Sequence, residues 1–79
     1  MVTPESIKDS IAAGIACERV DVAGDGAHFE ARIVSAAFEG LSRIKRHQLV
    51  YRALGDRMRE EIHALSMTTL TPDEAKAAR

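Results

Sequence analysis

Three histidines and one cysteine, His28, His47, His63 and Cys17, are the side chains of this sequence best suited to holding a transition metal. Neutral imidazole is the commonest side-chain ligand for such ions, whereas a single thiol can build neither an all-cysteine site nor an internal disulfide. The histidine spacings match no zinc motif. Each ring also has a plain alternative. His28 stands at the mouth of a turn, Gly24-Asp25-Gly26-Ala27, where it faces solvent and a partner, or is merely a surface residue. His63 shares strand parity with Leu65 and Met67, so it is either a half-buried packing residue or a ligand projecting at the end of a sheet. His47, between Arg46 and Gln48 and one turn beyond Ile44, is expected to make a structural hydrogen bond.

Other chemistries find less support. The sequence has no glycine-flanked nucleophile turn and no Cys/His signature, so a non-enzymatic role is expected. Gly24-Asp25-Gly26 sets a carboxylate where a phosphate cradle needs bare amides, and no Gly-Lys-Ser/Thr follows. Eleven Lys and Arg against twelve Asp and Glu leave a net charge of −1, so any attraction to nucleic acid must come from a local patch. Arg43, Lys45, Arg46, Arg52, Arg57 and Arg59 form such a patch. They read either as phosphate contacts or as a solvated helix face balanced by Asp56, Glu60 and Glu61.

The elements that must position these residues follow from periodicity. At 79 residues the chain is expected to form one domain, 1–79. Thr3-Pro4-Glu5 reads as a helix start, and Ile7, Ile11 and Ile15 mark one buried face of a helix ending near Gly14 to Ala16. Val20 and Val22, then Phe29, Ala31 and Ile33, alternate with charged residues. Residues 19–35 are therefore a β-hairpin whose two glycines flanking Asp25 permit positive φ. Ser42 can cap a second helix over about 42–54, with Ile44, Leu49, Val50, Tyr51, Ala53 and Leu54 as its apolar side. A short helical continuation after Gly55 leads to a third strand over 62–70. Thr71-Pro72-Asp73-Glu74 then has the spacing of a capping box and starts a terminal helix. The expected class is α+β, in the order α-β-β-α-α-β-α, with helices packed on one face of a three-stranded sheet.

A lone cysteine fits a reducing compartment. The start Met1-Val2-Thr3-Pro4-Glu5 lacks a basic stretch followed by an apolar run, and no window approaches the ~20 apolar residues of a membrane span. A cytoplasmic location is expected.

The run Phe38-Glu39-Gly40-Leu41-Ser42-Arg43-Ile44-Lys45-Arg46-His47-Gln48-Leu49-Val50-Tyr51 resembles the BolA family. So do Gly24-Asp25-Gly26-Ala27-His28-Phe29, Ile62-His63-Ala64-Leu65-Ser66 and Thr69-Leu70-Thr71-Pro72-Asp73-Glu74. The likeness covers nearly the whole chain after the first helix. It implies a fold similar to the class II KH arrangement. It also implies partnership with a monothiol glutaredoxin, the two proteins holding a [2Fe–2S] cluster between them with glutathione, in iron–sulfur trafficking or iron regulation. In the family one ligand is the histidine of the third-strand Ile-His-Ala motif, which falls on His63. The second lies in a loop before the second strand, where His28 falls; Cys17 lies outside that loop and takes no ligand role. The family's other implied role is DNA-binding transcriptional regulation, for which Arg43, Lys45 and Arg46 are the candidate contacts. A KH-type Gly-X-X-Gly clamp on RNA is not expected, because the corresponding Gly55-Asp56-Arg57-Met58 lacks the second glycine.

Overall fold

Thr3 closes the start of α1 (Pro4–Gly14) with its hydroxyl accepting from the Ser6 amide, while the Ser6 hydroxyl accepts from the Thr3 amide. Serine thus completes a capping box that the sequence pattern had not suggested, and Pro4 occupies the first turn as expected. The computed structural model describes residues 2–62 and 64–78. Ile7 and Ile11 are fully buried, and Ile15, in extended conformation at the helix end, is buried with them.

The hairpin forms from β1 (Arg19–Gly24) and β2 (His28–Val34), antiparallel, with Val20 opposite Ile33 and Gly24 opposite Phe29. The two glycines of the turn act differently from one another. Gly26 takes a φ of 103°, a region open chiefly to glycine. Gly24 does not; it is required because a Cβ there would strike the Phe29 ring and come within 2.6 Å of the His28 carbonyl oxygen.

After β2, Ser35 is completely buried and makes two side-chain hydrogen bonds. Its hydroxyl donates to the Ala16 carbonyl at 2.7 Å and accepts from the Ala37 amide, tying the end of α1 to a 3₁₀ turn over Ala36–Phe38. Ser42 then caps α2 (Arg43–Leu54), which leads to the short α3 (Arg57–Glu60). Val50 and Leu54 of α2 are buried, but Ile44 and Tyr51 are 72% and 42% exposed. Both had been expected on the apolar side. Successive helix positions turn by about 100°, so the arc holding Leu49, Val50, Ala53 and Leu54 cannot also include Ile44 and Tyr51, which fall on the outer side.

The third strand, β3 (Ala64–Leu70), pairs parallel to β2 and completes a sheet of order β1-β2-β3. Ile62 lies before the described strand: its amide donates to the Arg57 carbonyl and its side chain is buried in the core. Thr71 and Glu74 form the expected capping box of α4 (Pro72–Ala77). Phe29, Ala31 and Ile33 face the helices and share a core with Ile7, Ile11, Phe38, Val50 and Leu54. Asp21, Glu30, Arg32, Ser66 and Thr68 are exposed on the other face of the sheet. Helices on one side of a three-stranded sheet are the architecture expected. At the helix layer α1 meets α2 closely, since a Cβ on Gly14 would lie 2.7 Å from that of Ala53.

Candidate metal-ligand edge

His28 is the first residue of β2, exposed, and paired across the parallel ladder with Ala64. Among the described residues no hydrogen bond joins its imidazole, and the residue is exposed. Its backbone is held. The Asp25 carboxylate oxygen Oδ1 accepts from the amides of Ala27 and His28, both at 2.9 Å, and the Asp25 amide donates to the His28 carbonyl. These amides, His28 first, hold the Asp25 carboxyl below the usual carboxylate range. The turn is therefore closed by an anion throughout neutral pH. Because the folded carboxyl is the stronger acid, its contribution is complete above the ordinary value near 3.8 and fades only as pH falls further. Asp25→Ala is expected to speed amide exchange at Ala27 and His28, while Asp25→Asn, which keeps a carbonyl acceptor, is expected to retain most of their protection; amide exchange by NMR reads both.

His63 lies outside the described residues. Its neighbour in the chain, Ala64, is the residue that β3 sets against His28. Leu65, Met67 and Thr69 follow on the core-facing side with Phe29, Ala31 and Ile33.

Cys17 stands elsewhere. The next residue, Glu18, donates its amide to the Val34 carbonyl at the far end of β2, about 20 Å along the strand from His28. The thiol is half-buried, and burial pushes it above its ordinary pKa, away from the thiolate that metals need. His47 is half-buried in α2, and among the described residues no hydrogen bond joins its ring, contrary to expectation. Among the described residues no group of three or more His, Cys, Asp or Glu side chains is gathered to hold a metal ion.

The basic residues divide into two sets. Arg43, Lys45 and Arg52 are exposed. Arg46 is not available in the same way: only 13% of its side chain is exposed, and its guanidinium donates to the carbonyls of Leu41 and Thr69 and to both Glu74 oxygens. Arg57 is likewise turned inward, donating to the Ser6 carbonyl and to the Ser6 and Ser10 hydroxyls of α1. The side chain of Arg59 lies outside the described set. A phosphate surface built on Arg43, Lys45 and Arg46 thus loses its third member to internal bonding.

The family model for BolA-like protein matches residues 2–74. The chain belongs to the BolA-like family. This BolA-like chain is 49% identical to a BolA homologue from Coxiella burnetii whose structure is solved; the likeness covers 96% of this chain and 99% of that one, with a TM-score of 0.87. SufE-like protein 1 of Arabidopsis thaliana is 48% identical over 63 residues, 78% of this chain but 17% of that protein. The DNA-binding transcriptional regulator BolA of Haemophilus influenzae is 41% identical over 54 residues, 68% of this chain and 52% of the regulator. The match therefore spans well under two thirds of both of those proteins. Among the described residues of the BolA-like chain no helix is long and apolar enough to cross a membrane.

Proposed function

We propose that this chain is a non-enzymatic partner protein that contributes His28 and His63 as ligands to a [2Fe–2S] cluster shared with a monothiol glutaredoxin and its glutathione, serving iron–sulfur trafficking or iron regulation. The observation that carries the reading is the parallel register of β2 and β3, which sets His28 against Ala64. That pair joins positions 28 and 64, far apart in the sequence, and residue 64 is the one that follows His63 in the chain. The exposure of His28 supports it as well, since a foreign thiolate must reach the same iron. When bound, a two-iron cluster supplies one-electron chemistry or iron and sulfide for transfer, and imidazole ligation raises its potential relative to an all-thiolate site. The chain's own share is to present an exposed imidazole from a turn that Asp25 fixes.

Anaerobic co-purification with a monothiol glutaredoxin and glutathione is expected to give a visible absorption spectrum distinct from that of the glutaredoxin homodimer. His63→Ala is expected to abolish the difference, and His28→Ala to loosen the cluster while apo-protein association persists. A spectrum unchanged by His63→Ala removes that residue from the site.

The DNA-binding reading draws on the name of the Haemophilus relative and on the exposure of Arg43 and Lys45. With Arg46 engaged internally, two of the three candidate contacts, Arg43 and Lys45, remain, and if they alone meet phosphates the slope of log K against log salt is about −1.8. Affinity that does not change with salt, or that survives Arg43→Ala with Lys45→Ala, dismisses it.

A further inference from the structure

The outer face of α2 carries two side-chain rows that the fold leaves uncovered. Ile44 and Tyr51 are the large hydrophobic residues exposed among the described set, seven positions apart with exposed Gln48 between them. Lys45 and Arg52, also exposed and seven apart, form a second row one position round the helix. Seven residues make two turns and about 10.5 Å, so both rows run nearly along the axis. The inner arc of α2 is meanwhile occupied by its packing against α1 and β3.

The charge pattern of this helix is one-sided. Its twelve residues include Arg43, Lys45, Arg46 and Arg52 and no carboxylate. Arg43 and Lys45 sit in the first turn, at the positive end of the helix dipole, where cations oppose the helix rather than support it. Among the described residues the ion pairs use Arg19, Arg46 and Arg57, so the cations of the outer face are not neutralised from within. A sequence that keeps cations where its own helix disfavours them, beside an exposed isoleucine and tyrosine, is shaped by something outside the chain.

We propose that this face docks an acidic amphipathic helix of a partner protein, its apolar residues seating on Ile44 and Tyr51 and its carboxylates flanking Lys45 and Arg52. A helix fits because a seven-residue apolar repeat is what two helices crossing at a shallow angle present to each other. Nucleic acid fits less well. Phosphates would satisfy the cations but leave the exposed Ile44, in the same first turn as Lys45, against a charged backbone with nothing apolar to cover it. The surface uses none of the residues of the metal-ligand edge, so it stands or falls independently of the cluster reading.

The test is an NMR titration of the isotopically labelled 79-residue chain. The probe is a synthetic helical peptide of about three heptads with leucine at a and d and glutamate at e and g. Shifts are expected at Ile44, Lys45, Gln48, Tyr51 and Arg52. Ile44→Ser or Tyr51→Ser is expected to weaken binding about tenfold or more, as is Lys45→Glu combined with Arg52→Glu. His28→Ala should leave the affinity unchanged. These α2 positions are exposed, and an unaltered thermal melting curve checks that each variant remains folded. The proposal is overturned if the peptide leaves α2 unshifted, or if a scrambled peptide of the same charge binds as tightly. A DNA duplex that moves the same resonances at lower concentration also overturns it. Shifts of this face that grow with protein concentration alone would assign it to a second copy of the chain, and end the proposal equally.

Discussion

Phe29→Ala is expected to lower the free energy of unfolding by about 3–5 kcal/mol, with a matching fall in the denaturant midpoint. Phe29 is 1% exposed and packs where the sheet meets both long helices. Deleting its ring removes buried apolar area and opens a hole that the neighbours fill only in part. A domain of this length has on the order of 4–12 kcal/mol in total, at the usual stability per residue, so one such cavity takes a large share. The loss also reaches the candidate site, because the same ring covers Gly24 across the hairpin, and Gly24 and Phe29 bracket the turn that presents His28. Urea unfolding followed by circular dichroism measures the effect. Phe29→Leu, which keeps most of the volume, is expected to recover the greater part of it. Equal midpoints for the alanine variant and the unaltered chain would mean that the hairpin end is not part of the cooperative core.

Local chemistry made much of this architecture legible in the sequence. Thr3-Pro4, Ser42 and Thr71-Pro72 each start a helix because a hydroxyl at that position satisfies an amide that the helix itself cannot. The alternation through residues 29–33 placed the core side of β2 because the period of two leaves no other choice once one face is buried. What escaped reading was set by partners remote in sequence. Ser35 looks like an ordinary loop serine until its hydroxyl meets Ala16, nineteen residues earlier. In α2 the apolar residues cover so wide an arc that period alone could not decide which side is inside, and the structure left Ile44 and Tyr51 out. The candidate site was similarly half visible. Its place at the mouth of the turn set His28 towards solvent, but no pattern within β3 fixes which of its residues meets His28; the register does.

Arg46 shows most clearly how a distant partner changes the meaning of a residue. In sequence it is one of a basic run; in the fold its partner Glu74 lies twenty-eight residues away, and its guanidinium spans the carbonyl ends of two segments. It also stands over the Phe38 ring, 6.0 Å from guanidinium carbon to ring centroid. Arg46→Ala is expected to cost about 2–3 kcal/mol, because the hydrogen bonds to Leu41 and Thr69 go with the side chain and the cover over Phe38 is lost. A pH series separates this anchor from a merely packed side chain. The Arg46 guanidinium, with the Thr71 amide, holds the Glu74 carboxyl down to about 2, against an ordinary 4.5. A folded-state pKa below the unfolded one means that the carboxylate stabilises the fold fully above about pH 4.5 and progressively less as pH falls towards 2. The unaltered chain should therefore lose stability across that window, and the gap between it and Arg46→Ala should narrow as Glu74 takes up its proton. Denaturant midpoints of both chains at several pH values between those limits read the gap directly. A gap that stays constant would show that Arg46 acts through its carbonyl and ring contacts alone, and that α4 is held to the body of the fold by its capping box and packing rather than by charge.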